Sequence, residues 1–251
     1  MGKVKELIAR NWGLISPEVQ EKIERVKVLF VGCGLGSQIA VLAARTGFTY
    51  FHLWDGDRIE PHNLNRQAFS QADIGLNKAE VTARLLKTIN PELEVEVWPQ
   101  FLRTQEEIIT AIEKTDLIVN TADAPETVLI DEISAEKGVP HFFPMNVGFG
   151  GFVLVFTPNS QRLKEIGEGK ILSSNEFFSQ VLQTSVSYLS ESFQGELERF
   201  RDIEKEIPPV PQLGIAAYLV SALVVAAMIR WVVGDATLPV APKPLWLCSW
   251  M

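Results

Sequence analysis

The chain has 251 residues, 47% of them apolar, and a formal net charge of −8. This length and apolar content allow a sizeable buried core, so the fibrous and disordered classes are excluded, and the acidic balance argues against a nucleic-acid-binding protein. Two cysteines are too few for a disulfide framework or a four-cysteine zinc site within one chain, and a reducing, cytoplasmic location is expected.

Short apolar runs alternate with helical segments along the first part of the chain. Ser16 and Pro17 predict the start of a leading helix, because serine favours the N-cap and proline the first turn. Strands are predicted at 27–31 and 50–54, separated by a glycine turn and a helix at 38–46. These elements form a βαβ unit, whose strands run parallel. Later helices are predicted at 78–88, 104–114 and 124–137, and later strands at 93–98 and 116–120.

The repeated alternation of strand and helix predicts the fold class. We expect an α/β fold with a doubly wound, mostly parallel Rossmann-like sheet and helices on both faces. Residues 150–156 predict a strand that no crossover helix follows, so an antiparallel C-terminal extension is expected. In sheets of this kind, ligands bind beyond the carboxyl ends of the strands.

The composition divides the chain into three parts. Residues 1–26 form an N-terminal helical segment, and residues 27–158 form the Rossmann-like domain. Residues 159–251 are expected to complete the same domain, with a polar stretch at 159–206 that acts as a lid or partner-binding insertion. The apolar helix at 213–229 has no charged side chain and lies at the lower edge of the length that spans a membrane. Its many small residues favour a buried or interface helix, so no membrane association is expected.

The turn after the first predicted strand has the character of a phosphate-binding loop. Gly32, Gly34 and Gly36 let the main chain approach a ligand, and the following helix offers backbone amides and a favourable dipole. Asp55 ends the second strand. Its separation along the chain from the glycine turn is close to the one at which a carboxylate accepts hydrogen bonds from the ribose of a nucleotide. Together these residues predict a nucleotide site, with NAD and ATP as alternatives. A tight structural turn would also need one or two of the glycines.

The segment after the second strand is more specific. Residues 55–67 have the sequence DGDRIEPHNLNRQ, residues 73–78 have DIGLNK, and residues 121–123 have TAD. Their order resembles the D-x-D-x-[VI]-x-x-x-N-L-x-R-Q, D-x-G-x-x-K and T-x-D signatures of the ThiF/MoeB/HesA family of ubiquitin-activating-type adenylyltransferases. The resemblance covers about residues 10–158 and implies that the Rossmann-like domain binds ATP.

The resemblance also implies a role for each residue of this set when a carboxylate attacks the α-phosphate of ATP. Arg66 and Lys78 would offset the negative charge of the phosphates, Asp123 would hold Mg²⁺, and Asp55 would bind the ribose. For Asp57, ordering of its own loop is an alternative to binding the nucleotide. The remaining nucleotide-binding candidates are Gly32, Gly34, Gly36, Asn63 and Gln67.

Arg10 suggests an active site shared between two subunits. Family members carry an arginine upstream of the first helix that reaches the partner's ATP, so the resemblance implies a homodimer and adds Arg10 to the catalytic set. A basic surface residue is the alternative. The Cys-x-x-Cys pairs of many relatives are absent, so no structural zinc is expected. The glycine turn is one glycine shorter than the family pattern, which leaves its amide contacts to phosphate open.

The sequence therefore predicts an ATP- and Mg²⁺-dependent adenylyltransferase that forms an acyl-adenylate and pyrophosphate. The resemblance implies an acceptor that is the C-terminus of a small ubiquitin-like sulfur carrier protein or a peptide. The middle region has no cysteine for an enzyme thioester, so activation without one is expected. Two alternatives stay open. The shortened turn favours a non-catalytic nucleotide-binding module of the same fold, and the generic βαβ unit favours an NAD-dependent oxidoreductase.

Overall fold

The computed structural model describes residues 6–102, 104–166, 174–191, 194–195 and 211–248. Parts of the predicted lid, among them 196–206, lie outside the described residues. Single 3-10 turns occur at Ala9–Asn11, Pro61–Asn63 and Gln71–Asp73. The described helices and strands are, in chain order, α1 Pro17–Arg25, β1 Lys27–Val31, α2 Leu35–Thr46, β2 Tyr50–Trp54, α3 Lys78–Ile89, β3 Glu94–Trp98, α4 Gln105–Ile112, β4 Leu117–Asn120, α5 Glu126–Glu136, β5 His141–Val147, β6 Gly150–Phe156, α6 Leu163–Ile166, α7 Ser174–Val186, α8 Gly214–Val232 and β7 Leu245–Cys248.

The strands of the described residues form one sheet, in the order β3-β2-β1-β4-β5-β6-β7. The strands from β3 to β5 are parallel, whereas β6 and β7 pair antiparallel with their neighbours. This mostly parallel α/β sheet with its antiparallel C-terminal side confirms the predicted fold class. The strand order reverses direction between β1 and β4, and such a switch point opens a crevice for ligands.

The strand register brings the ends of β1, β2 and β4 to one level. Val31, the last residue of β1, pairs with Trp54 and with Asn120, the last residues of β2 and β4. The loops that follow these three strands therefore begin side by side at the carboxyl edge of the sheet.

Helices cover both faces of the sheet because the side chains of each strand alternate between the faces. Val28 and Phe30 of β1 pack with α2, α3 and α8, whereas Leu29 and Val31 pack with α4 and α5. Helices α6 and α7 continue the second layer over β5 and β6.

Helix α8 is apolar on nearly all sides and lies against the sheet. Val220, Val224 and Met228 are buried in the core shared with α2 and α3, and the helix contacts β5, β6 and β7. Within the described residues it is the one helix long and apolar enough to cross a membrane, and 44% of its most apolar window is buried. Its packing supports the prediction of a core helix, while Ile215 and Tyr218 remain exposed.

Helix α2 begins earlier than the predicted residue 38. The hydroxyl of Ser37 donates to the Gly34 carbonyl at 2.7 Å, and the Ser37 amide donates to the same oxygen at 3.2 Å. The glycine segment thus supplies the first helical turn itself. Glycine and serine are poor helix formers, so the sequence pattern concealed this turn.

Candidate functional site

The glycine turn between β1 and α2 is held tightly against the end of β4. Gly32 has φ +87°, and a Cβ at this position would lie 2.5 Å from Thr121 Oγ1 and 2.8 Å from Thr121 O. Only glycine fits such a conformation and such a close approach. The Thr121 hydroxyl also lies within hydrogen-bonding distance of the Val31 and Gly32 carbonyls, at 3.0 and 2.9 Å. Helix α2 follows directly, and a helix N-terminus favours an anion.

Asp55 ties the ends of β1 and β2 together. Its carboxylate accepts hydrogen bonds from the backbone amides of Cys33 at 2.6 Å and Asp57 at 2.7 Å. Burial raises the pKa of Asp55, and these two amides and Lys78 oppose the rise. Each carboxylate oxygen has a second lone pair, so Asp55 keeps the capacity to accept hydrogen bonds from the hydroxyls of a ligand.

Lys78 is the first residue of α3 and forms an ion pair with Asp57, with 2.9 Å between Nζ and Oδ2. Asn77 caps this helix, and its side-chain amide donates to the carbonyls of Asp55 and Asp57 at 2.9 and 3.2 Å. The cap therefore fixes Lys78 beside the loop after β2. Burial raises the pKa of Asp123, the Asp57 carboxylate raises it further, and Lys78 lowers it. Lys78 and these two carboxylates thus form one electrostatic cluster.

Arg66 is a half-buried cation without a carboxylate partner among the described residues. Its Nη1 donates to the His62 carbonyl and to Asn65 Oδ1, both at 2.9 Å. Burial lowers the pKa of Arg66, but a guanidinium titrates so high that it stays charged. Its remaining N–H groups are available to phosphate oxygens.

Two residues near Arg66 have different roles. Asn63 is buried and caps the Pro61–Asn63 turn by accepting a hydrogen bond from the Glu60 amide at 2.9 Å. Gln67 lies against the glycine turn, since a Cβ on Gly34 would be 3.1 Å from Gln67 Nε2. Asn63 therefore shapes the segment, and Gln67 borders the turn.

These elements surround a cavity of about 580 Å³ at the carboxyl edge of the sheet. Three buried polar side-chain atoms in its lining have no hydrogen-bond partner in the described part of the chain: Trp54 Nε1, Gln67 Oε1 and Asn146 Nδ2. Buried polar atoms are rarely left unpaired, so these atoms are candidates to bind a ligand. The predicted site residues that line the cavity are Gly32, Gly34, Asp55, Asp57, Arg66, Gln67, Lys78 and Asp123.

Three predicted residues lie outside this lining. Gly36 is buried in the first turn of α2, and Asn63 is used as a cap. Arg10 is exposed on the Ala9–Asn11 turn, where its side chain makes no hydrogen bond or ion pair with a described residue. A role for Arg10 in the site of a partner subunit stays a prediction.

Sequence reasoning missed the far wall of the cavity. Phe143, Met145 and Asn146 at the end of β5, together with Phe178 and Leu182 of α7, line this wall. The end of β5 could have been found, because the carboxyl ends of parallel strands meet at one edge of a sheet. Helix α7 carries no signal in the sequence that places it there.

The carboxylate of Asp123 lines the cavity and would hold a magnesium ion that arrives with a nucleotide. Mg²⁺ is usually bound through one or two carboxylates together with phosphate oxygens, so one carboxylate is enough. Among the residues that the structure describes, no group of three or more His, Cys, Asp and Glu side chains forms a metal site of its own.

The chain resembles known proteins in sequence. The model of the ThiF family matches residues 8–248. A sulfur carrier protein adenylyltransferase from Thermus thermophilus is 32% identical over 145 residues, which are 57% of this chain and 53% of that protein. Ubiquitin-like modifier-activating enzyme 5 from Drosophila persimilis is 36% identical over 109 residues, 43% of this chain and 27% of that enzyme. The chain thus spans about half or less of the length of these relatives.

Two solved structures share the fold. The crystal structure of E. coli MccB with ATP has a TM-score of 0.66 and 23% sequence identity, and the match covers 92% of this chain and 63% of MccB. The structure of PaaA has a TM-score of 0.73 and 19% identity, and the match covers 100% of this chain and 82% of PaaA. At these identities, the likeness shows the fold alone.

Proposed function

Because the chain belongs to the ThiF family, we propose that it is an adenylyltransferase that uses ATP and Mg²⁺ to activate a carboxylate. The acceptor in this proposal is the C-terminus of a small ubiquitin-like sulfur carrier protein or a peptide. The Thermus thermophilus relative is a sulfur carrier protein adenylyltransferase, and E. coli MccB was crystallised with ATP.

One observation carries the proposal. The cavity combines a glycine turn at a helix N-terminus with the cations Arg66 and Lys78 and with the carboxylates Asp55 and Asp123. Attack of a carboxylate on a phosphate brings negative groups together, so such a reaction needs fixed positive charge at the reacting phosphate. A site for an uncharged ligand would not need two cations.

Each side chain then has a defined task. The glycine turn and the start of α2 bind phosphate oxygens, and Asp55 accepts hydrogen bonds from the ribose. Arg66 donates its free N–H groups to phosphate oxygens. Lys78 moves from Asp57 to the reacting phosphate and balances the negative charge that develops there. The acceptor carboxylate forms a bond to the α-phosphorus, and pyrophosphate leaves. Mg²⁺, held through Asp123, would add positive charge at the same phosphates.

Exchange of labelled pyrophosphate into ATP tests the proposal. We expect the full chain to catalyse this exchange in the presence of an acceptor, and Asp123→Asn to reduce it on the order of 100-fold. Glu106→Gln is the control, because it also replaces a carboxylate with an amide but lies on an exposed turn of α4.

Calorimetry with ATP and with NAD separates the alternatives. ATP binding without exchange for any acceptor would favour a non-catalytic module, and binding of NAD in place of ATP would favour an oxidoreductase. Equal exchange by the wild type and Asp123→Asn would contradict the proposed role of Asp123.

The remaining parts of the proposal concern the whole protein. We propose a homodimer in which Arg10 reaches the partner's ATP, a cytoplasmic location, and no membrane association. We also propose that residues 27–158 form the ATP-binding domain and that residues 159–251 complete it. The pairing of β7 with β6 and the packing of α8 on the sheet support this division.

A further inference from the structure

The cavity has two chemically different sides. The ionisable residues of its lining all lie outside β5 and α7, and they are Asp55, Asp57, Arg66, Lys78, Asp123 and Glu126. The opposite side is formed by the end of β5 and by α7, and it is called the acceptor wall below. Its residues are Phe143, Pro144, Met145, Asn146, Val147, Phe178, Ser179 and Leu182, and none of these eight is ionisable.

The strand order separates these two sides. A nucleotide with its ribose at Asp55, after β2, and its phosphates at the glycine turn, after β1, occupies the β2 and β1 half of the sheet edge. Strands β4 and β5 lie on the other side of β1. The acceptor wall is therefore left for the second reactant, whose carboxylate must reach the phosphates.

The acceptor wall is apolar and well supported. Phe143 and Leu182 are buried, and Phe143 stacks on Phe178 with 6.0 Å between the ring centroids. These residues belong to one core cluster with Phe177 and Val181, so the wall is formed before any ligand binds. A charged side chain placed against it would lose hydration without gaining a counter-ion.

Asn146 adds a hydrogen-bond donor to this wall. Its Nδ2 is buried and has no partner in the described ranges. An extended peptide presents a carbonyl oxygen at every residue, so this amide can be satisfied by a main chain lying along the wall.

We propose that the acceptor wall binds the C-terminal segment of a peptide or protein acceptor, and that one of the acceptor's last three residues carries an apolar side chain that packs on Phe143, Phe178 and Leu182. The amide of Asn146 donates to a main-chain carbonyl of the same segment. The inference rests on the proposed adenylation, and it restricts the acceptor to chains with an uncharged, apolar C-terminal segment. An acceptor that ends only in glycines leaves the wall uncovered.

Synthetic heptapeptides test this inference with the full chain, ATP and Mg²⁺. The peptides share one sequence and differ by a glycine, leucine, aspartate or lysine at each of the last three positions. We expect leucine at one position to raise kcat/KM for pyrophosphate exchange about 10- to 100-fold over glycine, the range that an apolar side chain contributes in a matching pocket. Aspartate and lysine at that position should lie below glycine.

Two variants separate the side-chain contact from the main-chain contact. Phe178→Ala should reduce the preference for leucine over glycine, whereas Asn146→Ala should lower exchange for all peptides alike and keep that preference. Tyr188→Ala is the control for Phe178→Ala, because it truncates an exposed aromatic ring just after α7 that does not line the cavity. Thermal melting shows that each variant is folded.

These experiments distinguish failure of the acceptor-wall inference from failure of the proposed adenylation. If calorimetry shows no ATP binding by the folded protein, the proposed function itself is overturned. If ATP binds but glycine and leucine peptides exchange equally, or a charged residue is preferred, this inference is overturned and the proposed adenylation stands. If ATP binds but no peptide supports exchange, this inference is overturned and the result favours the non-catalytic module.

Discussion

Asp131 of α5 is a fully buried carboxylate outside the cavity. It accepts hydrogen bonds from Arg162 Nη1 at 3.1 Å and from the Leu163 amide at 2.7 Å. His141 Nδ1 lies 3.5 Å from the same carboxylate. Burial lowers the pKa of His141 to about 3, so this histidine is neutral at pH 7 and the contact is not an ion pair. Asp131 therefore joins α5 to the start of α6 mainly through Arg162 and Leu163.

Replacement of Asp131 by asparagine should change how stability depends on pH. Burial raises the pKa of Asp131 to about 6, opposed by the Leu163 amide and Arg162 and aided by Glu132 and Glu165. The pKa is higher in the folded than in the unfolded chain, so proton binding stabilises the fold at low pH. This contribution is lost as the pH rises through about 6. Compared with Asp131→Asn, the wild type should gain about 2 kcal/mol of unfolding free energy between about pH 7 and pH 4. Urea denaturation measures the difference, and parallel pH curves for the two proteins would contradict it.

Residues that directly follow a strand could be predicted from the sequence, and residues placed by tertiary contacts could not. Asp55 lies at the glycine turn because β1 and β2 are parallel and in register, which the spacing along the chain already indicated. The ion pair of Lys78 with Asp57 depends on how α3 starts against the loop after β2. Asn146 reaches the cavity only because β5 lies beside β4. No local pattern encodes the ion pair of Lys78, whereas the position of Asn146 follows once β5 is recognised as a parallel neighbour of β4.

At the level of elements, the turn between β1 and α2 allows a matched pair of substitutions. Gly32 and Gly75 both have a left-handed backbone, with φ +87° and +84°. A Cβ on Gly75 would meet nothing within 4 Å, whereas one on Gly32 would meet Thr121. Gly75→Ala should therefore cost only the backbone strain, about 1 kcal/mol, and Gly32→Ala should cost more. Denaturant titration compares the unfolding free energies, and an equal loss in the two variants would mean that the close approach to Thr121 does not matter.

The apolar helix α8 shows where element prediction needs the fold. A helix that is apolar on all sides is either buried in a core or placed in a membrane, and composition does not distinguish these cases. The distinction comes from β5, β6 and β7, which the helix covers. β7 itself was not predicted, since the four residues Leu245–Cys248 form too short a run to be recognised without their partner strand β6.

At the scale of the whole molecule, Arg10 lies on the surface and outside the cavity of its own chain. It lies on the Ala9–Asn11 turn, which is fastened to α2 because Asn11 Nδ2 donates to the Thr46 carbonyl at 3.0 Å. The turn is thus held in place, while the Arg10 side chain is exposed and does not line the cavity of its own chain. A cation held in this way can serve a second copy of the chain, and our proposed homodimer provides that copy.

Mixing two inactive variants decides whether Arg10 acts in the site of its own chain or in the site of the partner subunit. We expect Arg10→Ala and Asp123→Asn to lose most pyrophosphate exchange when each is assayed alone. In a mixed dimer, the site of the Arg10→Ala chain keeps its own Asp123 and receives Arg10 from the other subunit, so exchange should recover to a fraction of the wild-type level.

A mixture of Lys78→Ala and Asp123→Asn is the control, because both residues line the cavity of the same chain. Each site of that mixed dimer keeps one defect, so exchange should not recover. Dimer formation in the mixture is checked by light scattering. A mixture of Arg10→Ala and Asp123→Asn that dimerises but stays inactive would show that Arg10 does not act on a partner's site.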